Sequence, residues 1–269
     1  MAVGRELGLR VDEARELGSW SNHVVHLAPS PVVARIATLT SRIRPGGDWL
    51  DDELAVCAWL ADRGAPVLPP TDACDPGPHE WNGYRMTLWP YVDPVEPEPA
   101  EAGAELRELH ELLVEYPRSL RSWDPLPEVE AIAAYLERAG AAGDAAALRE
   151  LGAAAAVPPV HERPIHGDAH LGNVLGPRLW GDWEDVCRGP VEWDVATLQA
   201  AGRVFGDSDS ARAAAVAAYG EHDEALVEEL LPLRILFVTA WGAVGALDHT
   251  QRRERLDRRL AWLRDRLER

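Results

Sequence analysis

The sequence predicts an α+β fold in two parts, a small strand-rich region over residues 1–90 and a larger, mainly helical region over 91–269. Three observations predict it. Residues 32–39 (VVARIATL) and 84–92 (YRMTLWPYV) have the β-branched and aromatic density of strands. Residues 93–100 (DPVEPEPA) form a Pro- and Glu-rich joint. Beyond that joint, apolar residues recur at helical spacing through most of the chain.

Taken in order, residues 1–40 read as short strands with turns. Residues 48–63 follow as a helix whose Leu50, Leu54, Cys57 and Ala61 share a face. Residues 64–83, rich in Pro, Gly and Asp, read as loop, and the strand from Tyr84 ends at Pro90. Helices are expected over 101–115, 126–139, 144–155, 209–220, 223–231, 233–248 and 251–268. Between the third and fourth lies a compact segment, 163–196, with short strands and several charged residues.

With 45 acidic and 27 basic residues, the net charge is −18. That argues against a general nucleic-acid binder, which needs basic surface to displace counterions, and against docking on anionic lipid. A cationic or amine-bearing partner is the natural complement of such a field. All 27 basic residues are arginine, so any task that usually falls to lysine falls to another side chain. Cys57, Cys74 and Cys187 are scattered and lack CxxC spacing, against a disulfide framework or cysteine-based zinc site. The charged start has no signal-peptide core, and the apolar run 230–247 is interrupted by Pro232 and Arg234. It reads as a buried helix, and the expected location is the cytoplasm.

The stretch 164–198 (PIHGDAHLGNVLGPRLWGDWEDVCRGPVEWDVATL) carries the chemistry. His166-Gly-Asp168 is followed five residues later by Asn173, then by Asp182 between tryptophans, then by Asp194 in the apolar setting Trp193-Asp194-Val195. Phosphoryl transfer asks for such a set: a carboxylate to orient the attacking hydroxyl, and oxygen ligands for a hard divalent cation. The spacing matches the H-R-D-x-x-x-x-N loop of protein kinases. His166 and His170, four apart, have zinc-clamp spacing only on a helix, which Gly167 and Gly172 disfavour.

These residues closely resemble the aminoglycoside phosphotransferase family, whose signature is HGDxxxxN, an Asp after a hairpin, and a later Asp-Leu-Ala-like element. The resemblance implies a protein-kinase-like, two-lobed fold and transfer of the γ-phosphate of ATP or GTP, with Mg2+, to a hydroxyl of a small molecule. It implies that Asp168 is the catalytic aspartate and that Asn173 and Asp182 are the Mg2+ ligands. Asp194 and His166 are then braces of the catalytic loop.

On the nucleotide side, the turn with Gly18, Ser19 and Asn22 stands where the family has a Gly-rich turn, with main-chain N–H groups able to face phosphate. Arg35 stands where kinases carry the strand lysine; Val33 shares its strand face and is available to roof an adenine. Glu53, on the apolar stripe of its helix, is the expected carboxylate partner of Arg35, with Asp52 and Asp51 as alternatives. The base is expected against Leu88, Trp89 and Tyr91, where Pro90 removes one donor.

The acceptor is expected to be a small, amine-bearing molecule such as an aminoglycoside or amino sugar. Asp185, Glu184 and Glu192, or Glu96, Glu98 and Glu101, are candidates to line its mouth, and Trp241 to stack on it. A choline- or homoserine-type metabolic kinase and a non-catalytic nucleotide-binding protein are the alternatives. Oligomeric state is left open.

Overall fold

The computed structural model describes residues 1–44, 46, 48–205, 210–247 and 250–267. A short helix, α1 (Ala2–Glu6), precedes the strands β1 (Val11–Ser19), β2 (His23–Pro29) and β3 (Val32–Ala37). One helical turn, α2 (Thr40–Ile43), leads to helix α3 (Asp48–Ala61), then β4 (His79–Trp81) and β5 (Tyr84–Pro90). The strands form one antiparallel sheet in the order β1-β2-β3-β5-β4. Alternation along β3 sets its two faces. Val32 and Ala34 pack with Val11, Leu27 and Leu88 in a small core of their own. Val33 and Arg35 turn to the opposite face, towards the helical part.

Past Pro90 the chain becomes helical. Helices α4 (Pro99–Leu113), α5 (Leu126–Arg138) and α6 (Ala142–Ala154) are followed by strand β6 (Arg163–Ile165), a turn of 3-10 helix at Leu171–Asn173, and the hairpin β7 (Val174–Leu175) and β8 (Leu179–Trp180). Strand β9 (Cys187–Gly189) pairs with β6. Helices α7 (Val191–Phe205), α8 (Ser210–Tyr219), α9 (Glu224–Gly245) and α10 (Thr250–Leu267) complete the chain. One large core unites these helices with the inner face of α3. Main-chain bonds tie the two parts together: Leu68 N–H donates to Trp180 O and Trp180 N–H to Pro66 O, both at 2.9 Å.

Four expectations need correction. α1 and β4, with five and three residues, are too short to show a period, and they fall where only strands and loop were expected. α7 falls where short strands were expected up to 196 and nothing beyond. It is buried nearly all round (Trp193, Val195, Ala196, Leu198, Ala200), so no polar face reveals its period. The two helices expected around Pro232 are one, α9. Asp223 caps its start by accepting Ala225 and Leu226 N–H. Burial of Leu230, Leu231, Leu233, Ile235 and Leu236 offsets the hydrogen bond lost at the proline. The ends expected at 209, 248 and 268 lie outside the described residues. Among the described residues, no helix is long and apolar enough to cross a membrane.

Helices α4 and α8 pack at the limit of contact. A Cβ placed on Gly103 would lie 1.9 Å from Ala215 O. Gly103→Ala is therefore expected to push the helices apart and cost about 1–3 kcal/mol, read as a lower urea midpoint with an unchanged slope.

Candidate active site

The chemically distinctive side chains gather where the sheet meets the helices. Arg35 lies in the middle of the sheet, opposite Val24 of β2 and Thr87 of β5. It is buried, and its guanidinium is surrounded by acids. Nη2 donates to Glu53 Oε2, Nη1 donates to Asp182 Oδ1, and Glu184 Oε2 lies 3.5 Å from Nη1. Glu53 projects from α3 and is only 1% exposed; its second oxygen accepts the Trp183 N–H at 3.0 Å. Burial works against the charge on Arg35, yet Glu53, Asp182 and Glu184 hold its pKa above the ordinary value. The alternatives to Glu53 are engaged elsewhere: Asp51 faces Arg85 at 3.4 Å and Asp52 faces Arg118 at 3.9 Å.

The segment from His166 to Asn173 is held from below by Asp194. This carboxylate is fully buried on the first turn of α7. Oδ1 accepts Gly167 N–H at 2.9 Å; Oδ2 accepts His166 N–H at 2.8 Å and pairs with His110 Nε2 at 2.9 Å. His110 Nδ1 meets the Tyr219 hydroxyl at 2.9 Å. Gly167 has φ +89°, and an added Cβ would lie 2.2 Å from Asp185 O, so both the turn and the close approach require glycine. His166 is buried; its Nε2 donates to Gly181 O at 3.0 Å and its Nδ1 accepts Asp168 N–H at 3.3 Å. Burial lowers its pKa, which keeps it in this neutral form.

Asp168 stands at the bend of the loop. Its main-chain oxygen accepts Asn173 Nδ2–H at 2.9 Å. Its carboxylate meets Arg234 of α9 at Oδ1 and lies 3.5 Å from His170 Nε2 at Oδ2. Burial raises a carboxyl, but Arg234 and then His170 pull harder and hold Asp168 well below the usual carboxylate range. His170 is in turn raised by Asp168, against burial. Asp182, after β8, has φ +59°, an unusual conformation that Asp tolerates, and its side chain is 43% exposed.

A cavity of about 820 Å3 opens between the sheet and this loop; Val33, Arg35, Glu53, Trp89, Asn173 and Asp182 line it. The family model described as a phosphotransferase enzyme family matches residues 13–232 of this chain, from β1 into α9. The chain belongs to that family. It is a small-molecule phosphotransferase with a kinase-like fold. The phosphotransferase is similar in structure to choline kinase LicA from Streptococcus pneumoniae, at 14% identity and a TM-score of 0.66, over 97% of this chain and 98% of that one. It is similar to amicoumacin kinase hAmiN in complex with AMP-PNP, Ca2+ and Ami, at 14% identity and 0.67, over 98% and 93%. It is also similar to spectinomycin phosphotransferase, APH(9)-Ia, in complex with ADP and spectinomycin, at 14% identity and 0.62, over 98% and 92%. No curated protein sequence matches it.

Several expected residues lie apart from the large cavity of the phosphotransferase. Leu17 and Val24 line it, whereas Gly18 and Ser19 do not. The Asn22 side chain is buried, donating to Glu184 at 2.7 Å and accepting from Thr40 at 3.0 Å. Leu88 faces the small core, while Trp89 and Tyr91 line the cavity. Asp185 is held by Arg44 and Arg121, and Arg44 also grips Glu128 through two bonds of 2.7 Å. Trp241 Nε1 donates to the same Glu128 at 2.8 Å. Glu192 accepts Asp223 N–H at 3.2 Å, away from the cavity. Of the joint acids, Glu96 lines the cavity and Glu98 and Glu101 do not.

The sequence reading missed Arg234, His110 and the Arg44–Glu128 pair. For Arg234 a signal existed, since a lone arginine inside an apolar run demands a buried partner.

The loop's construction predicts two stability effects. Asp194→Asn replaces one accepting oxygen with an NH2 group that faces N–H donors; each donor left unpaired should cost roughly 1–3 kcal/mol, read by chemical denaturation. His166 binds its proton less readily folded than unfolded, so the unfolded state takes up more protons as pH falls through about 6.5 and stability drops. His170 acts in the opposite sense but is common to both proteins in a comparison. The stability gap between wild type and His166→Gln should therefore narrow from about pH 7.5 to about pH 5.5.

Proposed function

We propose that the chain transfers the γ-phosphate of a nucleoside triphosphate, ATP or GTP, to a hydroxyl of a small molecule, with Asp168 as the catalytic group. One observation carries this reading: Asp168, with its carboxyl held ionised, sits on the loop that walls the large cavity, directly linked to Asn173 on that wall. The cavity takes the nucleotide. Val33 and Trp89, paired across β3 and β5, supply apolar surface for the base. The N–H groups of Leu88 and Tyr91 already donate to Pro76 O and Pro31 O, and Pro90 has none, so the base edge falls to main chain beyond Tyr91. Arg35, held by Glu53, binds phosphate through its planar guanidinium, in the place where kinases use lysine. The Asn22 side chain is committed to Glu184, which leaves main-chain groups of the β1–β2 turn to face phosphate.

The donor set fits Mg2+. Asp182 and Asn173 offer a carboxylate and an amide oxygen on the cavity wall, the hard oxygen ligands this ion takes. Among the described residues, no group of three or more His, Cys, Asp or Glu could hold a metal alone, which suits an ion whose remaining ligands are phosphate and water. Bound there, Mg2+ neutralises charge on the phosphates. Asp168 orients the acceptor hydroxyl and takes its proton as the new O–P bond forms and the bond to the leaving diphosphate breaks. A carboxylate held this low is a poor base, so its work is mainly orientation, with proton uptake late, as a loose transition state permits.

Asp168→Asn should keep nucleotide binding, measured by calorimetry, while phosphate transfer, measured as product formed, falls by about 10²–10⁴. Asp182→Asn should raise the Mg2+ concentration needed for half-maximal activity. Normal turnover by Asp168→Asn sinks the reading.

A further inference from the structure

A second cavity, of about 240 Å3, shares Leu171 and Gly172 with the nucleotide cavity. His170, Arg212, Arg234 and Arg259 line it, and its described lining contains no carboxylate. Its position is set by Asp168, whose two oxygens face Arg234 and His170. A hydroxyl that reaches Asp168 therefore has this cavity beside it for the rest of its molecule.

The ionisable side chains described in the lining of this cavity are all basic, against the acid excess of the whole chain. Arg234 is 3% exposed; only its Nη2 has an acid, and Nε and Nη1 have no hydrogen-bond partner. That acid, Asp168, is shared with His170. Arg259 reaches the Val238 carbonyl at 3.3 Å, and burial first, then Arg255 and Arg234, push its pKa down to about 10. An ammonium brought here loses water and gains repulsion, whereas a carboxylate exchanges water for fixed positive charge.

Resting on the phosphotransferase reading above, we propose that this cavity seats the acceptor and that the acceptor is a small hydroxycarboxylate, its hydroxyl at Asp168 and its carboxylate among His170, Arg234 and Arg259. This differs from the amine-bearing acceptor that net charge alone suggests.

The test uses three probes of matched skeleton: lactate, lactamide and isopropanolamine, with charges of minus one, zero and plus one. Their binding to the full chain with Mg2+ and a non-hydrolysable ATP analogue is measured by ligand-observed NMR. Lactate should bind at least about tenfold more tightly than either partner. Arg234→Gln should remove that preference while leaving nucleotide affinity intact. Val204→Glu, a half-buried position on the cavity wall, should do the same with less risk to folding. Equal or tighter binding of lactamide or isopropanolamine, or no binding of lactate, overturns the proposal. Asp168→Asn separates the two claims. Loss of transfer in that variant with a preference for the amine defeats the acceptor assignment alone. Unchanged transfer with lactate preferred defeats the catalytic role alone.

Discussion

One buried carboxylate holds the loop from His166 to Asn173. Asp194 is removed from water, which on its own is strongly unfavourable, and three N–H donors, two adjacent and one from α4, offset that cost. Two of the donors are successive main-chain groups, so Asp194 fixes the loop's backbone itself. With the His166 and Gly167 N–H groups pinned, His166 has little freedom, and its ring bonds Gly181 O on one side and Asp168 N–H on the other. Gly181 N–H in turn donates to Asn173 O at 2.8 Å. The positions of Asp168, Asn173 and Asp182 are therefore coupled through one chain of hydrogen bonds that begins at α7.

Charge joins the sheet to this assembly, beside the shared apolar core. Arg35 reaches Asp182 and approaches Glu184 in the segment after β8, while Glu53 takes the Trp183 N–H. A second knot, Arg44 with Glu128 and Asp185, joins the α2 end to α5 and the same segment. An arginine serves well in both places because its planar fork bonds two or three oxygens at once and never loses its proton. Phosphate oxygens and Asp182 are rivals for the same guanidinium. The tie between the two parts is thus open to exchange with a charged ligand, which an apolar contact is not.

What could be read from the sequence follows the distance over which each relation acts. The strands and most helices announce themselves by local period. His166, Asp168, Asn173 and Asp182 lie within 17 residues, so spacing alone groups them. The Arg35–Glu53 pair was legible because strand alternation and helix periodicity each aim one side chain. Asp194 was recognisable as a brace, but its partner His110 lies 84 residues away and has no local cue. Arg234 lies 66 residues from Asp168, and Glu128 lies 84 from Arg44. Closeness in sequence misled as well: Glu184 and Asp185 lie two and three residues after Asp182, yet both are turned into the internal network. Helix α7 was hidden by burial on all sides.

Charge shows why a sum over the chain is a poor guide to a site. A net −18 sets the far field and favours approach of cations. Salt screens exposed charges beyond roughly 8 Å, so most surface acids contribute little inside a narrow cavity. There the energy is set by groups within a few ångströms and by how completely water is excluded. Of the chain's 27 arginines, three line the small cavity, and one of them, Arg234, is almost fully buried against Asp168. On the proposed reading, the same Arg234 that holds the Asp168 carboxyl low also faces whatever the hydroxyl is attached to. Acceptor charge and catalytic readiness are therefore not independent in this site. On that reading, an acceptor with an anionic tail meets the Arg234 Nε and Nη1 that have no hydrogen-bond partner, while a cationic one competes with Arg234 for Asp168.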